Sequence, residues 1–381
     1  MKKFIVAVCL LGAAVTAVHA ERKALVALEP TARKDGLLVS RVGLESNVGK
    51  LLGQKVSVTS TDDLTDAMRA TRTGDYDIFI APAQVAASAI NHGYELVGST
   101  DDVDHYVLVG RSGLVSVADI RKGRIYLPQQ DSIYTYLARG LLTSAGLSFK
   151  DLNKVEFAQY PQAGLTALTM KMTDATVIRS DEWERWQKEN PGQAKALATS
   201  GTVPGGLSVV IKKSLPEDER EKLTKWFTTS SRTAGLKTCG PHADLKDYKK
   251  VAELGTFTPV KLPGATVVTA AEVMQLQSTG AVVVDTRSEK EYKAKHIPGA
   301  VFVPYHEKSL KDVAYDGALD DFSGLKNLKP QTPTIFHCNG AECWKSYKAS
   351  RAAMAAGFAK VYWYRGGMPD WEGAGQKLAS N

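Results

Sequence analysis

Between residues 23 and 235, short β-branched runs alternate with stretches of helical period, and this alternation constrains the fold more than any other feature. Lys23–Leu28, Lys55–Ser60 and Tyr76–Ile80 read as strands. Leu37–Leu52 carries apolar residues at helical spacing, and Asp63–Thr71 starts on an Asp cap with Leu64, Ala67 and Met68 on one face. A second set begins at Ile125–Pro128, continues through a long helix from Ile133 to Ala145, and reaches a further strand at Ala175–Ile178. Strands separated by helices pair in parallel through crossovers, so an α/β fold is expected. Tyr106–Arg111 and Leu207–Lys212 are strands able to pass between two lobes, as a hinged two-lobe protein requires.

The chain has 381 residues, enough for two or three domains. With 44% hydrophobic and 23% charged residues, disorder over most of its length is excluded. The formal charge is +7, and no basic run is dense enough for a nucleic-acid surface. A basic surface does favour anionic ligands. Residues 1–20 read as a cleavable secretory signal. Lys2 and Lys3 precede an apolar Phe4–Val18 segment, and Val18-His19-Ala20 supplies the small residues for cleavage after Ala20. That removal takes two charges from +7 and leaves +5. The apolar run is short for an anchor and runs into Glu21-Arg22-Lys23, and Val8 argues against lipid modification at Cys9. The expectation is a periplasmic protein without stable membrane insertion.

Export matters for the cysteines that remain: Cys239, Cys338 and Cys343. An oxidising compartment allows them one bridge and one leftover. Cys338 ends the run Thr334-Ile335-Phe336-His337-Cys338 and is followed by Asn339-Gly340-Ala341-Glu342, Cys343 and a helical pattern from Trp344 to Met354. A cysteine between a strand and a helix start has backbone N–H groups aimed at its sulfur, which favours the thiolate and builds an anion cradle. Cys343 is a bridging candidate for it. Cys239 has two open readings: an unpaired surface thiol, or a partner for Cys338 or Cys343 during turnover. The cysteines and seven histidines do not fall in zinc spacing, so neither metal nor cofactor is expected.

Residues 282–304 read Val-Val-Val-Asp-Thr-Arg-Ser-Glu-Lys-Glu-Tyr-Lys-Ala-Lys-His-Ile-Pro-Gly-Ala-Val-Phe-Val-Pro, and 361–367 read Val-Tyr-Trp-Tyr-Arg-Gly-Gly, followed by Trp371. Together with the Cys338 loop, these resemble the rhodanese family. The resemblance implies an α/β domain over 264–381 with a parallel sheet flanked by helices, and it places the catalytic cysteine at Cys338. The loop looks about two residues longer than the family's usual one. Its Cys338, Cys343, Trp344 and Ser346 resemble a Cys-x4-Cys-Trp-x-Ser subgroup of bacterial proteins linked to quinoprotein catabolism. In this reading Cys343 resolves a persulfide, Lys345 and the loop amides steady an anion, and Ser346 completes the site. Asp285, Arg287 and His296 are expected to support the neighbouring loops.

The larger region resembles periplasmic solute-binding proteins of the phosphonate type. The residues that carry this are Asp75-Tyr76-Asp77-Ile78-Phe79-Ile80-Ala81-Pro82, Val117–Ile125 and Asp131–Arg139. The resemblance implies a two-lobe domain over 21–235 that closes on a ligand, with an anionic group on a helix N-terminus carrying hydroxyls. Ser132 and Thr135 match that place, Tyr134 is a candidate wall, and Arg179 and Ser180 are candidates in the second lobe. Ser132 also reads as a plain N-cap, and Arg179 as a surface partner of Asp181 or Glu182. Residues 236–263, with Gly240-Pro241, Gly255, Pro259 and Pro263-Gly264, read as the connection between domains.

The leading expectation is therefore an exported sulfurtransferase that carries sulfane sulfur as a persulfide on Cys338. Its anion-binding domain would take a small sulfur-containing or other oxyanion, and a thiol would accept the sulfur. The rival is a binding or accessory protein, or a thiol–disulfide redox protein, whose rhodanese domain holds a Cys338–Cys343 disulfide. A periplasmic dehydrogenase or transporter would be its point of contact.

Overall fold

The computed structural model describes residues 21–30, 40–241, 243–255, 258–303 and 305–380. The signal sequence read at 1–20 and the first residues of the helix read at Leu37–Leu52 lie outside them. The described residues form three five-stranded sheets.

The first sheet takes β1 (Arg22–Ala27), β2 (Val56–Thr61), β3 (Ile78–Ala81) and β4 (Tyr94–Asp104). Helices α1 (Arg41–Leu52), α2 (Leu64–Thr73) and α3 (Ala83–Asn91) make its crossovers. β2, β1 and β3 are parallel, as the alternation predicts. Asp63 caps α2 by accepting from the Asp66 amide, which frees Leu64, Ala67 and Met68 to enter the core together.

The chain then crosses at His105 to a second lobe. Its strands are β5 (Tyr106–Arg111), β6 (Arg124–Leu127), β7 (Lys154–Phe157), β8 (Ala175–Arg179) and β9 (Ala194–Thr199). Helices α4 (Ile133–Ser144), α5 (Ala163–Thr169) and α6 (Ser180–Glu189) pack around them. β10 (Val203–Lys212) returns to the first sheet antiparallel to β3 and β4, and α7 (Glu217–Thr229) follows it. The chain thus passes twice between the lobes, once after β4 and once after β9. Trp183 and Trp186 stack at 5.5 Å on α6 as packing residues.

The segment 236–263 is no open tether. Gly240 exchanges backbone hydrogen bonds with Ser99 of β4. α8 (Leu245–Glu253) lies on α3, and its buried Tyr248 shares a 2.7 Å hydrogen bond with Ser208 of β10. The helix was masked by its many lysines, although Asp244 and Asp247 form a capping box. Cys239 is a free thiol buried among apolar residues near Phe227, which corrects the surface-thiol reading.

The third sheet is all parallel, in the order β11 (Thr266–Val267), β15 (Val361–Tyr364), β14 (Thr334–His337), β12 (Val282–Asp285), β13 (Val301–Phe302). α9 (Ala270–Ser278), α10 (Glu289–Ala294), α11 (Trp344–Ala355) and α12 (Gly367–Gly373) cover it. β14, at its centre, is buried along its whole length, because a parallel sheet is packed on both faces.

Candidate functional site

Cys338 leaves the carboxyl end of β14, and Cys343 stands immediately before α11. The two are joined in a disulfide with Cα atoms 6.1 Å apart. The short ring between them is shaped by Gly340, whose φ of 87° suits glycine, and by the Cys343 amide donating to the Gly340 carbonyl at 3.0 Å. Gly367 lets the chain after β15 come close. A Cβ there would lie 2.2 Å from the Cys338 carbonyl oxygen, to which the Met368 amide donates at 3.0 Å. Cys338 is 1% exposed.

The neighbours of the loop are tied down. Asn339 Nδ2 donates to Glu291 at 2.6 Å, and Glu291 in turn accepts from the Ser288 amide and hydroxyl that cap α10. Asp285 and Arg287 form a buried two-pronged pair, and Arg287 also donates to the Lys295 carbonyl at 2.6 Å. Burial raises the Asp285 carboxyl, but the hydrogen bonds and charge of Arg287 oppose it, and the carboxyl is held below its ordinary value. Burial pushes the His337 imidazole down, towards its neutral form. His296 stacks on Tyr292 at 4.1 Å and its Nδ1 meets the Tyr292 carbonyl, a supporting position.

Lys345, in the first turn of α11, is half-buried with its ammonium over the Tyr305 ring. Burial lowers its pKa, and Glu307 pulls the other way. Ser346 is turned to the sheet, where its hydroxyl accepts from Trp363 Nε1 at 3.1 Å.

In the two-lobe domain, Ser132 caps α4, and its hydroxyl donates to Glu29 at 2.7 Å. The Ile133 amide and Gln84 Nε2 donate to the same carboxylate at 2.8 and 2.7 Å. The two readings of Ser132 therefore meet: it is an N-cap and part of an anion cradle, and the anion is the chain's own Glu29. Glu29 and Gln84 come from the first lobe and Ser132 and Ile133 from the second, so the carboxylate bridges the cleft. Its burial there pushes Glu29 up to about 7. Thr135 donates to the Gln129 carbonyl, and Tyr134 is buried edge-on against Tyr106. Arg179 grips Asp181 with two nitrogens, and the Ser180 amide donates to the His105 carbonyl. Glu29 carries no motif; only its place, just after the first strand, could have drawn notice.

The C-terminal domain packs against this part of the two-lobe domain. Lys311 reaches both oxygens of Asp131 at 2.7 Å, and its carbonyl accepts from Arg139 at 2.9 Å. Burial raises the Asp131 carboxyl, but the Lys311 ammonium brings it below its ordinary value. The segment that carries Lys311 is braced by Asp320, which accepts from the Lys308 and Ser309 amides and the Ser309 hydroxyl. It is also braced by the Glu307–Lys348 pair at 2.7 Å. Thr258, in the connection, donates through its amide and its hydroxyl to the Ala341 carbonyl inside the disulfide ring. Lys290 pairs with Asp75 at 2.7 Å.

This docking leaves a partly open space of about 60 Å³ between the disulfide and α2, lined also by Arg69 and Arg72. A single water needs roughly 10–15 Å³, so a few waters or one small inorganic ion fit. Neither Arg72 nor Lys311 was singled out from the sequence, because each gains meaning only when the domains meet. Among the described residues no set of His, Cys, Asp or Glu is placed to hold a metal ion. Nor is any helix there long and apolar enough to cross a membrane.

Comparisons with known proteins fall on two separate stretches of the chain, and the first takes in most of the segment read as a connection. Residues 27–261 match the family described as ABC transporter, phosphonate, periplasmic substrate-binding protein, and residues 269–374 match the rhodanese-like domain. A curated relative, the HTH-type transcriptional regulator Rv0324 of Mycobacterium tuberculosis, is 32% identical over 109 residues, 28% of this chain and 42% of that protein. The chain thus spans less than half of that relative's length. XAC2383 from Xanthomonas citri, solved bound to ATP, aligns with a TM-score of 0.50 at 11% identity over 62% of this chain and 96% of that one. PhnD1 from Prochlorococcus marinus, in complex with methylphosphonate, aligns with a TM-score of 0.48 at 17% identity over 61% and 96%. At 11% identity the likeness to XAC2383 is one of fold.

Proposed function

The chain belongs to the phosphonate-type periplasmic substrate-binding family and carries a rhodanese-like domain at its C-terminal end, and from that premise we propose that it is an exported sulfurtransferase working through Cys338. The observation that carries this reading is the Cys338–Cys343 pair at the strand-to-helix loop of a rhodanese-like domain. The disulfide is the resting form. An external dithiol opens it, is oxidised to its own disulfide, and leaves Cys338 and Cys343 as thiols.

The Cys338 thiolate then attacks the outer sulfur of a thiosulfate-like donor. A new S–S bond forms at Cys338, the sulfur–sulfur bond of the donor breaks, and sulfite leaves with the electron pair. Cys338 now holds a persulfide. An acceptor thiolate can take the terminal sulfur and return the Cys338 thiolate. Otherwise the Cys343 thiolate attacks Cys338 Sγ, releases hydrosulfide after proton uptake and restores the disulfide. Lys345 and the α11 N-terminus stand beside the leaving anion.

The two-lobe family supports an oxyanion as ligand and the periplasm as the working compartment. The test is intact-mass analysis of the reduced, desalted protein after thiosulfate. One added sulfur atom, mapped to Cys338 and longer-lived in Cys343→Ser, is expected. Protein that only re-forms its disulfide, with no sulfur adduct in either form, would overturn the reading and return it to a binding or redox protein.

A further inference from the structure

The space facing the disulfide is built by two domains, and most of the charges that line it are held in pairs. Lys311 is held by Asp131, Arg69 by Asp66, Glu307 by Lys348, and Glu291 by Ser288 and Asn339. With Arg287 paired to Asp285 as well, Arg72 of α2 and Lys345 of α11 remain, facing the carboxylates of Glu291, whose oxygens Ser288 and Asn339 already occupy, and of Glu342. That contact is loose, because Glu342 Oε2 lies 3.8 Å from Arg72 Nη1. Arg72 Nε and Glu342 Oε2 are both buried without a protein hydrogen-bond partner, which is costly for charged groups. The cradle at Ser132, by contrast, is already filled by Glu29.

We propose that Arg72 of the solute-binding-like domain, assisted by Lys345 of the rhodanese-like domain, forms the oxyanion site of the sulfur-transfer centre, and that Glu342 occupies it while the disulfide is closed. The inference rests on the sulfurtransferase reading and names its substrate-binding residues. A guanidinium offers paired N–H donors to two oxygens of a sulfonate-like group, a geometry a lone ammonium lacks. With the oxygens on Arg72, the sulfur end of a thiosulfate-like dianion reaches the loop that bears Cys338.

Glu342 lies within the ring that Cys338 and Cys343 close, so the disulfide holds its carboxylate at Arg72. Opening the ring frees the loop and uncovers the guanidinium. Reduction thereby prepares the nucleophile and the anion site together. The two-lobe domain contributes a substrate residue to a reaction centre in its neighbour, and the Lys311–Asp131 clamp keeps the two walls in place.

The test is calorimetric titration of thiosulfate into the full chain carrying Cys338→Ser, which can neither close the disulfide nor turn over. Adding Arg72→Gln should weaken binding at least about tenfold, from the loss of a charge-assisted pair, with Arg72→Lys between the two. Glu342→Gln should tighten binding, since it removes the competing carboxylate. Sulfate should compete in each case. No binding to the parent, or equal affinity in Arg72→Gln, overturns the proposal. If Arg72→Gln lowers the melting temperature, the Glu342→Gln arm decides, because a merely structural role gives no gain. Binding requires no turnover, so failure of the sulfurtransferase reading would show only in the mass experiment.

Discussion

Replacing Lys311 by Met tests the contact that joins the domains. Lys311 gives both of its 2.7 Å contacts to one carboxylate, Asp131, which is 2% exposed. With the ammonium gone, Asp131 keeps the Thr65 hydroxyl at 2.9 Å as its remaining side-chain donor. Breaking a buried pair from one side costs roughly 3–5 kcal/mol, because the surviving charge stays desolvated. Lys311 retains some exposure, so the low end, about 3 kcal/mol, is expected. For a unit of this size that is a fall of about 6–12 °C in melting temperature. The sign with pH is fixed. In the native protein the Asp131 carboxyl sits below its ordinary value, so its contribution is present at neutral pH and fades as pH falls. In the variant burial outweighs what the Thr65 hydroxyl and the Arg72 charge still give, and the folded state favours the protonated acid, so the deficit grows from pH 5 to pH 8. Scanning calorimetry at both values reads this, and Asp131→Asn placed on Lys311→Met should recover much of the loss. A variant melting within about 1–2 °C of the native protein at pH 8, or a double variant simply worse than either single, would refute the clamp.

Three further outcomes follow from other sites. Glu29→Gln should flatten a pH dependence. The folded-state value near 7 lies above the ordinary carboxylate value, so the native protein loses roughly 2–3 kcal/mol at this group between pH 5 and 8 that the variant keeps; parallel melting curves would contradict the buried bridge. Gly367→Ala should destabilise the rhodanese-like domain by at least about 2 kcal/mol, since Ala must adopt a positive φ and its Cβ would strike the Cys338 carbonyl, and urea unfolding measures it. Cys239, whose thiol burial pushes up to about 12, should resist maleimide in the native protein at pH 8 and react once unfolded; fast native labelling would show that the segment opens.

Much of the fold was legible because local chemistry and global pattern agree. The Asp63 cap, the apolar face of α2 and the β-branched runs at β1, β3 and β14 act over a few residues, and each repeats its own period along the chain. The Cys338 loop was legible for a similar reason: strand end, glycine, second cysteine and helix start lie within one short stretch. Helix α8 was less visible, because lysines hide an apolar face that has meaning only against α3 and Ser208.

By itself, then, the sequence determined the α/β architecture, the two lobes, the position of Cys338 at a strand-to-helix loop and the closeness in sequence of a second cysteine. Only the tertiary structure decided that Glu29 fills the cradle at Ser132, that Lys311 seals Asp131, and that Arg72 faces the disulfide from another domain. The physical reason is range. Periodicity, capping and loop chemistry are encoded among near neighbours, whereas the pairing of buried charges depends on surfaces that come together only after each domain has folded.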